Sequence, residues 1–350
     1  MEEKRMKFDS KKLLKIGGIL AAGGLLLAGV GMLLGGMTST YIDSRGIHVM
    51  KYEEKRLEYQ KLPGKIENLD IDFSMADLEI ILADENAIEA VYYEDSAKPE
   101  IHQDGNTTTI TSKSQEENRV VFMGVGNIYG NSKIKVYLDK KETGQSLDAR
   151  VDNGKIKFNG PRAFKALSIQ NHLGSVDMAS VKADSVYIKL DNGDLDVSDV
   201  ESKSFTAQNH LGKIKAANIR ADEGSIKNDN GKITLTDSTY NMLTAEDHLG
   251  DIAGEGLNVR GGQFKNDNGK ISLSGAIEGE INVTAHLGDV NIKTSIPRET
   301  AGYQLSTSLG KVEVDGAKYE EAVRDENQSG TSRFVINNNN GDIRLDFGQQ

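Results

Sequence analysis

The chain has no cysteine and no tryptophan, and only 4 prolines in 350 residues. Without cysteine there are no disulfides, thiolate metal sites, cysteine nucleophiles or lipid-modified cysteines, although this is compatible with either side of a membrane. Without tryptophan the stacking platform that sugar-cleaving sites often use is missing. No nucleophile motif is visible. The glycine-containing stretch at residues 124–131 lacks a phosphate-loop lysine and a following helical pattern, so it reads as a hairpin loop. Positive charge is also short: 42 Lys and Arg face 53 Asp and Glu, a net charge of −11. Residues 1–15 hold six basic and three acidic residues, so the remainder carries −14. Such an exterior disfavours nucleic acid and anionic lipid and suits a cationic partner, and it equally serves solubility alone.

What the chain does have is a short phrase repeated ten times, a polar turn closing on glycine and followed by a polar and then an apolar residue. The glycines are Gly154, Gly174, Gly193, Gly212, Gly231, Gly250, Gly269, Gly288, Gly310 and Gly341. Most lie 19 residues apart, the signature of a solenoid. Two turn types alternate. Asp-Asn-Gly begins at Asp152, Asp191, Asp229 and Asp267, and His-Leu-Gly at His172, His210, His248 and His286, so the full sequence repeat is 38 residues.

Around each glycine the pattern has period two, which is strand. Two residues on, the side chain is apolar in every unit, from Ile156 and Val176 through Ile233 to Ile343. Apolar pairs also precede the turns, as in Leu167/Ile169 and Phe205/Ala207. Each 19-residue unit reads as strand, turn, strand and connector, with glycine supplying the positive φ of a tight turn. The fold class is all-β, a β-solenoid of 19-residue half-repeats. Because like side chains ladder well, the alternation favours a 38-residue coil with the two turn types on opposite edges.

The strands ending in Asn-Gly-Lys/Asp-Ile, the opening segment 66–84 and the closing segment 337–347 resemble the putative-adhesin family of bacterial β-strand repeats, a domain of unknown function. The resemblance covers roughly residues 60–347, although Asp139 and Lys140 stand where members often have proline. It implies an envelope-exposed β domain with an adhesion or envelope-stress role, and brings no catalytic residues.

Residues 16–37 are apolar and uncharged, and as a helix 22 such residues match a bilayer core. More basic residues precede than follow them, which points the N-terminus inward. The expected plan is a cytoplasmic tail (1–15), a transmembrane signal anchor (16–37), a connector (38–64) and an extracytoplasmic β-solenoid (65–350). The solenoid divides into a cap with first coils (65–140) and regular repeats (141–347), interrupted by a polar insertion at 315–332. Gly31-xxx-Gly35 and Gly24-xxx-Ala28 would let two anchor helices pack as a homodimer.

Two columns tempt a metal reading. Stacked histidines offer neighbours but no enclosing cage. The Asp-Asn turns are followed by Lys155, Lys232 and Lys270, which oppose a cation. No catalytic, cofactor or metal residue is therefore assigned, and the chain reads as a non-enzymatic binding, adhesion or envelope-stress protein. The alternatives are a carbohydrate-active β-helix enzyme, betrayed by out-of-register carboxylates in one groove, and a self-assembling scaffold, betrayed by an open terminal coil.

Overall fold

The computed structural model describes residues 39–43, 46–49, 54–93, 98–112, 120–123, 132–327 and 330–348, with six helical residues scattered between 17 and 30. The rest of the apolar segment 16–37, the tail before it and the 124–131 stretch lie outside the described residues. Among the described residues no helix is long and apolar enough to cross a membrane. The chain divides into two compact units, 1–53 with 114–130 and 54–113 with 131–350. In the smaller unit Ser39–Asp43 pairs antiparallel with Gly46–Val49 and with Val120–Met123.

The larger unit is a β-solenoid. Val176–Asn192, Leu195–Leu211 and Ile214–Asn230 are each 17 residues long and lie parallel and in register, with Val176 beside Leu195 and Leu195 beside Ile214. One coil therefore holds 19 residues, and the expected 38-residue coil is overturned. Gly174 of a His-Leu-Gly turn sits directly between Gly154 and Gly193 of Asp-Asn-Gly turns. Unlike residues stack because acid and base pair across the 4.8 Å between coils.

Burial explains why each coil closes. In Leu195–Leu211 the buried positions are Leu195 and Val197, then Val200 and Ser202, then Phe205, Ala207 and Asn209. The alternation slips after Ser198 and again after Lys203, marking two corners. At the first corner Ser180, Asp199, Asn218 and Asp237 take φ of 62°, 54°, 54° and 48°. Such left-handed backbone suits short polar side chains that bond locally. The expected connector is thus a third inward-facing run. The ten apolar residues two places after the turn glycines are no more than 1 % exposed. Burying one Ile or Leu contributes about 1.5–3 kcal/mol, so the stacked columns account for much of the driving force.

The turn glycines answer a close approach as well as a positive φ. A β-carbon on Gly212 would lie 1.9 Å from the Gly193 carbonyl oxygen of the coil before.

Both ends thread out of chain order. Asn68–Ala83 is flanked on one side by Gln145–Asn153 and the start of Ile156–Leu173, and on the other by Thr107–Ser112 and Ser132–Asp139. The last segments, Ser332–Asn340 and Ile343–Gly348, slot between the strands 271–297 and the strands 301–314. Antiparallel strands then cover the outermost coils. At the first end these are Glu100–Asp104 and Ala87–Tyr93, with Glu54–Lys61 of the polar connector beyond. At the last end Ala317–Tyr319 and Ala322–Asp325 of the polar insertion do the same. Short, charged edge strands block further pairing.

Candidate functional site

The edge carrying the turns holds long columns of polar groups, and it is built from the inside outward. Three residues before the glycine lies a buried column of ten residues, five of them asparagine, with Val151, Leu190 and Ala285 as its apolar members. Asn171, Asn209, Asn228 and Asn266 donate from Nδ2 to the carbonyls of Gly154, Gly193, Gly212 and Gly250 at 2.8, 2.9, 3.1 and 2.8 Å. Asn338 does the same to Gly288 at 2.8 Å, and Thr307 donates to Gly341 at 2.9 Å. Each bond clamps one turn to its neighbour and satisfies a carbonyl that the glycine ladder would otherwise bury unpaired.

Asp247 breaks this column. It is 1 % exposed, it stands between Asn228 and Asn266, and neither carboxylate oxygen has a hydrogen-bond partner. Where its neighbours present a donor, an ionised carboxylate presents only acceptors. Burial pushes its pKa from the ordinary 3.8 up to about 7, and the charges of Asp251 and Asp229 add to the rise. A protonated Asp247 regains a donor like that of its neighbours Asn228 and Asn266.

Outside this layer run two exposed columns. The first alternates acid and base: Asp152, His172, Asp191, His210, Asp229, His248, Asp267, His286. Nδ1 of His172, His248 and His286 lies 3.3, 3.2 and 3.0 Å from Asp152, Asp229 and Asp267. His210 bonds Asp229 and lies 3.8 Å from Asp191. His172 and His248 reach their second aspartates, Asp191 and Asp267, at 3.7 Å. Every histidine therefore leans on an aspartate, and three of the aspartates, Asp191, Asp229 and Asp267, serve histidines on both sides. The arrangement is a line with solvent beside it. Among the described residues no three His, Asp or Glu converge as a metal site. The second column alternates Asn153, Leu173, Asn192, Leu211, Asn230, Leu249, Asn268 and Leu287.

The second face carries a cavity of about 650 Å³ floored by Ala183, Ser202 and Ala221, with Phe164 among its lining residues. Two charged columns wall it, and their charges pair along the stack. Lys182 meets Glu201 at 2.5 Å, Lys203 meets Asp184 at 2.9 Å, and Asn241 donates to Asp222 at 2.9 Å. The hydrogen bond from Lys203 holds the Asp184 carboxyl below its ordinary value. These carboxylates keep the repeat register and each has a partner, so no carboxyl is left poised as an acid opposite a free base.

The histidine and aspartate columns anticipated from sequence are therefore brought together into one ladder. The clamp column and Asp247 are missed by motif reading, although aligning the units on glycine exposes both three residues upstream.

A profile described as Toastrack DUF4097 matches residues 66–207 and 183–346. No curated protein matches the chain. Among solved structures, a putative lipid binding protein from Parabacteroides distasonis is similar at 12 % identity over 83 % of this chain and 96 % of that one, with a TM-score of 0.44. A putative adhesin from Parabacteroides merdae is similar at 10 % identity over 84 % and 96 %, with a TM-score of 0.40. A putative cell adhesion protein from Clostridium sporogenes is similar at 12 % identity over 85 % and 100 %, with a TM-score of 0.24.

Proposed function

The chain belongs to the Toastrack DUF4097 family, and on that premise we propose that it is a membrane-anchored, extracytoplasmic binding protein of the bacterial envelope that recognises partners through its repeated outer faces. The observation that carries this reading is the pairing of groups along the columns. On the exposed columns acids and bases follow the coil repeat and partner one another, as in Asp184–Lys203 and Asp267–His286. A hydrolase reading needs carboxylates that depart from the register and converge, and the carboxylates of the second-face cavity do neither. A head-to-tail scaffold reading needs an open terminal coil, and antiparallel strands cover both. The apolar segment 16–37, with six basic residues before it, supports an anchor with the repeats outside. The charge of −14 beyond residue 15 supports a cationic partner.

Protease added to intact, wall-stripped cells tests the topology. The repeats should be digested and an N-terminal fragment spared. Repeats that stay protected, in cells where detergent makes them cleavable, overturn it. Purified protein incubated with isolated envelopes should be retained in a salt-sensitive manner, and absence of retention at low salt refutes the binding role.

A further inference from the structure

The fold demands a period of 19 residues, yet two exposed columns alternate coil by coil and so repeat only at every second coil. One half of that alternation has an internal reason, since aspartate and histidine pair between coils. The other half has none. The turn backbone is the same whichever residue precedes the glycine: Gly154 donates to the Leu173 carbonyl at 2.9 Å, and Gly174 to the Asn192 carbonyl at 2.9 Å. Asparagine therefore serves wherever leucine stands. Even so Leu173, Leu211, Leu249 and Leu287 remain 48, 46, 51 and 47 % exposed in a row, about 9.6 Å apart at two coils per step. Four half-exposed leucines in a regular line, continued two coils further by Leu309 at 67 % exposed and with no part in the core, point to an interface.

The order of the ladder says with what. It has eight rungs, starts with aspartate and ends with histidine. An even alternating series reads complementary to itself when inverted. We infer that this turn edge pairs antiparallel with the same edge of a second copy of the chain, about a two-fold axis passing between the His210 and Asp229 coils. His210 then faces Asp229 of the partner subunit, Asp191 faces the partner's His248, His172 faces the partner's Asp267, and Asp152 faces the partner's His286. In the neighbouring column each leucine meets an asparagine across the axis, Leu211 opposite the partner's Asn230 and Leu173 opposite the partner's Asn268. The leucines of the two copies therefore interleave, each fitting between two of the other. The match continues one coil further at each end, where Met75 pairs in register with Asn153, and Asn340 with Leu287. Inversion places Met75 opposite the partner's Asn340. Such an interface is isologous and closes at two copies. It uses a surface that none of the described strands covers, and it is independent of the binding role proposed above.

The absence of cysteine makes the test clean, because introduced thiols are the only ones. Full-length chains in detergent carry either Leu173→Cys or Asn268→Cys with different tags, and are mixed and mildly oxidised. The mixture should give a disulfide-linked pair, and Leu173→Cys alone should give far less. Self-linking of Leu173→Cys at equal or higher yield indicates parallel pairing and overturns the inference. Sedimentation of the unmodified chain should report two copies per particle, and a single copy at tens of micromolar overturns it. Replacing Leu173, Leu211, Leu249 and Leu287 together with Asn, the residue of the alternate coils, should raise the dimer dissociation constant at least tenfold while thermal unfolding stays cooperative. A dimer that survives these four replacements, as one held by the glycine-rich apolar segment would, also overturns it.

Discussion

Replacing Asp247 with Asn should stabilise the protein at neutral pH and change little near pH 4. In the folded chain the Asp247 pKa is raised from 3.8 to about 7, so between those values the folded state holds a proton that the unfolded state has released. Stability therefore falls as pH rises through this window and levels off above it. A shift of about three units at about 1.36 kcal/mol each sets an upper bound of about 4 kcal/mol. Asparagine does not ionise, and it restores the donor that Asn228 and Asn266 supply to Gly212 and Gly250. That bond adds about 0.5–1.5 kcal/mol. The variant should thus exceed the natural chain by up to about 4 kcal/mol near pH 8 and by no more than about 1.5 kcal/mol near pH 4. Chemical denaturation of both proteins at the two pH values measures the difference directly. A gap that is the same at both, or a variant less stable near pH 8, refutes the assignment of Asp247 as a carboxylic acid in an asparagine position.

Two further substitutions probe the coil itself. Ile233 is fully buried between Ile214 and Ile252. Ile233→Asp forfeits about 1.5–3 kcal/mol of burial and at pH 7 costs about 4 kcal/mol more to hold the carboxyl neutral. The neighbouring Lys232 is exposed, so Lys232→Asp should cost no more than about 0.5 kcal/mol. Thermal unfolding of the two variants compares them, and equal melting temperatures contradict the inward assignment. Gly231→Ala would place a β-carbon 1.9 Å from the Gly212 carbonyl oxygen at a φ of 143°, whereas at Gly105, with φ 57°, the space is open. The first should cost more than about 3 kcal/mol and the second about 1 kcal/mol, read from denaturation midpoints.

The inward columns were legible because apolar residues at fixed offsets from a glycine leave little freedom. Ile156, Ile233 and Ile343 lie where period two places them. The coil is half the length that laddering of like side chains implies, because His172 stacks well on the unlike Asp152 and Asp191. The third inward run escaped notice because Ala183, Ser202 and Ala221 are small and give little apolar contrast. The out-of-order ends depend on pairing between segments far apart in sequence, such as Asn68–Ala83 with Gln145–Asn153, which no local pattern encodes. The alternating turns were visible in the sequence, but their union into one ladder needed the register.

The central claim is that one coil holds 19 residues and that successive coils stack in register. Thr206, Ser225 and Thr244 occupy one outward column on three successive coils. In this cysteine-free chain, Thr206→Cys with Ser225→Cys places two thiols on coils about 4.8 Å apart, within reach of a disulfide. Thr206→Cys with Thr244→Cys separates them by about 9.6 Å, beyond the roughly 7 Å limit. Mass analysis after mild oxidation of dilute protein should find an intramolecular disulfide in the first pair and free thiols in the second. A disulfide in the second pair and free thiols in the first would restore the 38-residue coil and contradict the account.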